Sequence, residues 1–282
     1  MYLADEWKDY AVLDAGNGMK RERWGNVVLL RPDPQAGWSM RPQVADAVYY
    51  RSEKGGGHWE FQKSLPDSWN IAYKDLSFVV RPTGFKHTGL FPEQAVNWDW
   101  MRNRVEEKIR QDGSCRVLNL FAYTGGATCA CLKSGASVCH VDAAKGMIAW
   151  AKDNVALNGL TDAPVRYIVD DCMKFVQREI RRGNRYDGIL MDPPSYGRGP
   201  DGELWKIEDS LYPLVEAAVR LLSDNPAFFL INSYTTGLAA SVLKNVLKTA
   251  IPCGEADADE IGLPIRRDGL VLPCGCSGRW HP

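Results

Sequence analysis

Val117-Leu-Asn-Leu-Phe-Ala-Tyr-Thr-Gly-Gly126 decides the fold of this chain. An apolar strand, Arg116–Leu120, runs into a turn with two adjacent glycines, and a helix over Ala127–Ser134 follows. Working outward, the same alternation repeats. Strands are expected at Val138–Asp142, Val165–Val169, Gly188–Asp192 and Ala227–Asn232. Helices are expected at Lys145–Asn158, Met173–Arg182, Asp209–Leu222 and Ala239–Ala250. Ile148, Ala151 and Val155 mark one helix face at i, i+3 and i+7, and Asn158-Gly159 supplies its stop. A further helix over 92–111 precedes the first strand and ends at Asp112-Gly113. Short apolar strands alternating with helices predict a doubly wound parallel sheet with helices on both faces.

The first 85 residues read differently. Strand candidates at Asp9–Leu13, Val27–Leu30, Ala47–Arg51, His58–Gln62 and Ser77–Arg81 are separated by Gly and Pro clusters such as Asp14-Ala-Gly-Asn-Gly18. They predict a small β-rich N-terminal domain over 1–85, followed by the α/β domain over 86–282. Seven of the ten tryptophans (7, 24, 38, 59, 69, 98 and 100) lie in the first hundred residues. They either form a base-stacking surface or fill a small β core, and the core reading is favoured. Up to residue 99 there are 12 basic and 13 acidic side chains, so this is no basic arm. The whole chain, with 34 basic and 35 acidic groups and net charge -1, has no global positive field to attract nucleic acid. Any such partner needs a local patch.

At 282 residues the chain buries roughly three quarters of its unfolded surface and needs no disulfide or metal staple. The eight cysteines show no CxxC pair and no accompanying His pair, so no metal is expected. The charged N-terminus lacks a signal-peptide h-region, and the longest apolar runs fall short of a membrane span. A soluble, cytoplasmic protein is expected.

In a doubly wound sheet, ligands sit beyond the carboxyl ends of the strands. After strand one, the Gly125-Gly126 pair lets the backbone approach a ligand, and the next helix offers free N–H groups to a carboxylate. After strand two, Asp142 either accepts from two ribose hydroxyls or caps the helix over Lys145–Asn158. After strand three, Asp170, Asp171 and Cys172 either read an adenine or cap the next helix. After strand four, Met191-Asp-Pro-Pro-Ser-Tyr196 is a rigid loop whose prolines donate nothing, which leaves its carbonyls as free acceptors.

These segments resemble class I S-adenosylmethionine-dependent methyltransferases, most closely the ribosomal RNA large-subunit methyltransferase family. Gly89-Leu-Phe-Pro-Glu-Gln94 is similar to the Gly-x-Phe/Tyr-x-x-Gln element at that family's domain junction. The resemblance covers roughly residues 80–240. It implies a Rossmann-like methyltransferase sheet and S-adenosylmethionine as cofactor. It also implies cofactor contacts from Asn119, Phe121, Tyr123, Thr124, Gly125, Gly126, Asp142, Asp171, Cys172 and Gln94. Tyr123–Gly126 would cradle the methionine part, Asp142 the ribose, and Asp171 with Cys172 the adenine.

Catalysis is expected from Asp192, Pro193, Pro194 and Tyr196, because Asp-Pro-Pro followed by an aromatic resembles the loop of amino-methylating enzymes. Ser195 displaces the aromatic by one residue. Relatives acting on carbon 5 of cytosine carry a Cys-Ser-Cys-Ser run after strand five, and here that place reads Asn232-Ser-Tyr-Thr-Thr-Gly237, without a thiol. Cys274-Gly-Cys276 is expected in a buried edge hairpin. The basic run Lys174, Arg178, Arg181, Arg182 and Arg185 reads as a solvated helix face or a phosphate site. His87 reads as a surface or hinge side chain rather than a base. The expected function is methyl transfer to a base of ribosomal or other structured RNA. The alternative is a non-catalytic RNA-binding module with the same fold, against which the intact Asp192-Pro-Pro194 loop argues. A dinucleotide-dependent oxidoreductase would want the absent Gly-x-Gly-x-x-Gly.

Overall fold

The computed structural model describes residues 1–52, 56–198, 202 and 204–282. The chain forms two compact units: Met1–Val96 with Ile261–Cys274, and Asn97–Glu260 with Gly275–Pro282.

In the first unit, β1 (Tyr2–Leu3) runs parallel to Ile261-Gly262. Strands β2 (Tyr10–Gly16), β3 (Met19–Trp24), β4 (Val27–Pro32), β5 (Ala47–Arg51) and β6 (Gly57–Phe61) form one sheet in that order. A hairpin follows, β7 (Trp69–Tyr73) and β8 (Leu76–Val80). The β2–β3 turn is Asn17-Gly18, with φ of 53° and 70°, the left-handed pair that a two-residue hairpin requires. Strand β3 escaped the sequence reading because Lys20-Arg-Glu-Arg23 looks like a polar loop. Its alternation is inverted by a buried charge: Glu22 and Trp24 face inward.

Glu22 accepts from Tyr10 Oη at 2.6 Å and from Arg31 Nε at 2.7 Å, and Lys20 lies 3.6 Å away. Burial alone would raise its carboxyl, but Arg31 and Lys20 outweigh that and hold it at about 2. Trp7 and Trp24 are buried in this core, and the Trp7 ring sits 4.7 Å from Tyr73. Residues 265–267 return to β2. Arg266 N–H donates to Val12 O at 2.9 Å, and Arg267 reaches the buried Asp14 carboxylate at 3.0 Å.

The second unit is the expected doubly wound sheet. Helix α1 (Ala95–Asp112) leads into β9 (Arg116–Leu120), α2 (Gly126–Lys133), β10 (Ser137–Asp142), α3 (Lys145–Leu157), β11 (Val165–Val169), α4 (Cys172–Arg181) and β12 (Gly188–Met191). A hairpin absent from the sequence reading follows, β13 (Tyr196–Arg198) and β14 (Leu204–Lys206). Then come α5 (Ile207–Val219), β15 (Phe228–Ser233), α6 (Ala240–Ala250), β16 (Glu255–Pro264) and β17 (Val271–His281).

The parallel strands lie in the order β15-β12-β9-β10-β11, so chain direction across the sheet reverses between β9 and β12. A crevice therefore opens at their carboxyl ends. Every residue of β15 is buried. Gly188 is required opposite it, because a Cβ there would meet the Phe228 ring at 2.3 Å. The hairpin carrying Cys274 and Cys276 is not at an edge: β17 lies between β15 and β16. No helix among the described residues is long and apolar enough to cross a membrane.

Candidate active site

The loop after β9 is built from alternating left-handed residues. Phe121, Tyr123 and Gly125 have φ of 55°, 53° and 83°. For Phe and Tyr this conformation costs roughly 1–3 kcal/mol each and persists only where surroundings enforce it. They do so here through buried polar groups. Tyr123 N–H donates to Asp142 Oδ2 at 2.8 Å, Ala122 N–H to Val141 O at 3.0 Å, and Asn154 Nδ2 to Thr124 O at 2.8 Å. Beneath the loop, Asn119 Nδ2 donates to Thr128 Oγ1 at 2.9 Å, and that hydroxyl meets His140 Nδ1 at 2.9 Å. Burial pushes His140 down to about 4, so it is neutral there. Gly125 begins α2 without a side-chain cap, and a Cβ on it would meet Ala151 Cβ at 3.0 Å. The first-turn N–H groups of α2, at and after Gly126, point along the helix axis as anion donors.

Asp142, at the end of β10, is not the cap of α3; that position is Ala144. The carboxylate instead joins two loops, accepting from Tyr123 N–H at one oxygen and from Ala144 N–H at the other, each at 2.8 Å. Burial raises its pKa, and these two N–H groups oppose the rise. A carboxylate offers about four acceptor positions, so two are left for ligand hydroxyls.

After β11, Asp171 does cap a helix: its Oδ1 accepts from Lys174 N–H at 2.8 Å. Asp170 is taken by an ion pair with Arg178, and Arg182 reaches the buried Glu179 at 3.1 Å. Two members of the basic run are thus committed within the chain. Cys172 is buried; desolvation pushes its thiol well up, against a hydrogen bond from the Phe121 backbone.

After β12, Asp192 is half-buried and its N–H donates to Leu120 O at 3.4 Å. Pro193 is buried and Pro194 exposed. The expectation of free carbonyls fails at Pro194, whose oxygen accepts from Trp205 Nε1 at 2.6 Å. The Trp205 ring lies 5.1 Å from Phe121, so this residue of β14 touches the loops after both β9 and β12. Ser195 Oγ meets Thr235 Oγ1 at 2.6 Å, and Tyr196 remains 59% exposed. Sequence reasoning missed Trp205 because nothing periodic marks a three-residue strand.

Asn232 is buried, bonded to Asn97 Nδ2 at 3.0 Å and to Ser277 Oγ at 2.6 Å. The buried Cys276 donates to Leu238 O at 3.4 Å, and burial pushes its thiol up to about 11. Three residues singled out from the sequence belong to the first unit. Gln94 is buried in a 3-10 turn, Pro92–Gln94. The Cys274 thiol is raised well above its ordinary value by burial. His87 is pushed down to about 4, by burial first and then by Arg31 and Lys86. No group of three His, Cys, Asp or Glu side chains that could hold a metal occurs among the described residues.

This crevice suits S-adenosylmethionine by its donor set: a carboxylate with acceptor capacity for a diol, uncapped helix N–H groups for a carboxylate, and a pinned backbone turn between them. Known proteins agree. A solved S-adenosylmethionine-dependent methyltransferase from Agrobacterium tumefaciens is 37% identical, covers 99% of this chain and 93% of its own, and superposes with a TM-score of 0.92. The ribosomal RNA large subunit methyltransferase K/L of Pseudoalteromonas atlantica is 31% identical over 190 residues, 64% of this chain. The chain spans only 26% of that relative's length. The ribosomal RNA large subunit methyltransferase K of Neisseria meningitidis is 26% identical, over 84% of this chain and 71% of its own. Residues 40–206, more than half of the chain, match one family model, and the chain belongs to that family, the S-adenosylmethionine-dependent methyltransferases.

Proposed function

We propose that this protein transfers the methyl group of S-adenosylmethionine to a base of ribosomal or other structured RNA. The observation that carries the reading is the Tyr123–Asp142–Ala144 junction, which fixes the loops after β9 and β10 around one carboxylate, beside the switch point of the sheet. In this reading Asp142 holds the ribose and Tyr123–Gly126 the methionine part. Asn119 acts from beneath the loop, through Thr128. Phe121, Asp171 and Cys172 flank the adenine. The sulfonium supplies an activated methyl when bound. The chain's own contribution is to align the acceptor and exclude water.

Asp192 and the Pro193 carbonyl accept the hydrogens of an exocyclic amine and aim its lone pair, while Tyr196 stacks on the flipped base. Pro194 does not share that task, since Trp205 already occupies its carbonyl. The absence of a thiol in Asn232–Gly237 favours nitrogen over carbon 5 as the acceptor. The RNA names of the relatives support the substrate class. Transfer of tritium from labelled S-adenosylmethionine to ribosomal RNA from a deletion strain, followed by nucleoside mass spectrometry, tests the reading. Labelled N-methyl base is expected. Cofactor binding without any labelled RNA would overturn the substrate class.

A further inference from the structure

Phe85 is held out of the protein by its own backbone. It lies 66% exposed at the tip of the 81–88 turn. An apolar ring in water ordinarily collapses onto its neighbours. This turn is fixed from inside: Arg81 N–H donates to Thr88 O at 3.1 Å, Thr83 Oγ1 to His87 O at 2.8 Å, and Arg31 to Lys86 O at 2.7 Å. The Trp59 indole N–H is shared between Thr83 O at 2.9 Å and Phe85 O at 3.3 Å. Arg31 is itself locked on the buried Glu22. The exposure is therefore a property of the fold.

A second exposed ring stands beside the same indole. Phe61 is 53% exposed, and its ring lies 6.5 Å from that of Trp59, tilted by 30°. Strand alternation puts Trp59 and Phe61 on one face of β6 and sends Glu60 to the other, where it meets His58 at 3.7 Å. Two cations belong to this edge: Arg51, exposed at the end of β5 opposite Gly57, and Lys86, which follows Phe85, is half-buried and donates from Nζ to Pro32 O at 3.4 Å. Lys20 and Arg31 lie deeper and are matched by Asp33 at 3.2 Å and by Glu22. Burial first, and then Arg31, Lys86, Lys20 and Arg51, hold His87 below its ordinary range.

We propose that Phe61 and Phe85, with Trp59 between them and Arg51 and Lys86 at the rim, form a platform for single-stranded RNA. Bases stack on the two phenyl rings and phosphates meet the two cations. The occupant follows from charge: exposed π-faces near two cations that have no carboxylate partner among the described residues fit a polyanion with flat bases better than an apolar peptide. This inference rests on the RNA-substrate reading and adds a second contact region to it. The sequence left the tryptophans as stacking surface or core and favoured core; Trp7 and Trp24 are core, and the exposed faces belong to phenylalanines.

The test is fluorescence anisotropy of the full chain with a fluorescein-labelled 12-nucleotide oligouridylate. Phe85→Ala and Phe61→Ala are each expected to weaken binding about fivefold or more, as loss of one stacked base does. Phe85→Tyr keeps near wild-type affinity. Arg51→Gln and Lys86→Gln each lower the slope of log affinity against log salt by about 0.7. S-adenosylmethionine affinity by calorimetry stays unchanged in all five, and an unchanged far-ultraviolet dichroism spectrum and melting temperature show that they are folded. A Phe61→Ala/Phe85→Ala double variant within twofold of wild type overturns the platform, and so does a wild type that binds no oligouridylate. A dimer seen in sedimentation that Phe85→Ala dissociates assigns the rings to a second copy of the chain and overturns it likewise. Tritium transfer to RNA is scored separately. Unlabelled RNA with stacking-dependent binding sinks the methyl-transfer reading alone, and labelled RNA with binding unaffected by the variants sinks the platform alone.

Discussion

Asp142 serves two loops and a ligand with one carboxylate, so its removal has two separable effects. Tyr123 N–H and Ala144 N–H each lose a charge-assisted partner. Such bonds are worth roughly 1.5–3 kcal/mol each before compensation by water. Asp142→Ala is expected to lower the melting temperature of the ligand-free protein by several degrees and to weaken S-adenosylmethionine binding at least about tenfold. Scanning calorimetry reads the first and titration calorimetry the second; unchanged affinity means the carboxylate serves the loops alone. At Asp192 the expectation differs. Its role is alignment of the acceptor, so Asp192→Ala should cut kcat about a hundredfold with little change in cofactor affinity. Tyr196→Ala should instead raise the KM for RNA, because the exposed ring makes only a stacking contact. Near wild-type turnover in Asp192→Ala would remove this loop from the chemistry.

The β13–β14 hairpin matters through one side chain. Trp205 bonds Pro194 O and packs on Phe121, a residue already in a strained conformation. Trp205→Phe keeps a ring on Phe121 and loses only the hydrogen bond. It is expected to lower kcat about tenfold while S-adenosylmethionine affinity stays within about twofold. Trp205→Ala also releases Phe121 and should weaken the cofactor severalfold; equal kcat in all three forms would show that the hairpin is a bystander. Elements like this mark the limit of legibility. Strands β9 to β12 were readable because each is a short, mostly apolar segment set between helical stretches, and the residues after them inherit their place from the topology. Strand β3 was not, since its inward Glu22 is satisfied by Arg31, nine positions away, and no window of sequence shows that pairing. The Asp142 cap and ribose readings were both open in the sequence, and only backbone geometry showed that Ala144 holds the capping position. Trp205 lay beyond reach for the same reason: its importance is a contact with residues 121 and 194, not a local pattern.

At the scale of the whole chain, acid should act early. His87 and His140 are held at about 4 by burial, whereas an unfolded histidine titrates near 6.5. Between those values the unfolded chain binds more protons than the folded one, so stability is full above about pH 6.5 and falls as pH drops toward 4. Glu22 extends the loss from its ordinary 4.5 down to about 2 as its bonds to Arg31 are protonated away. Melting temperatures are expected to be flat from pH 7.5 to 7 and to fall by pH 5, with a shallower slope in His87→Gln and in His140→Gln. An unaltered slope in both variants would place the proton uptake elsewhere. The return of residues 265–267 to β2 bears on synthesis. The first unit needs the pairing of Tyr2 with Ile261 and the grip of Arg267 on Asp14, partners about 250 residues apart. A ribosome adding roughly 5–20 residues per second makes the intervening 97–260 in roughly 10–30 seconds. Through that interval the nascent amino-terminal third presents an unfinished sheet edge, and the second unit has almost its whole sequence available to fold first.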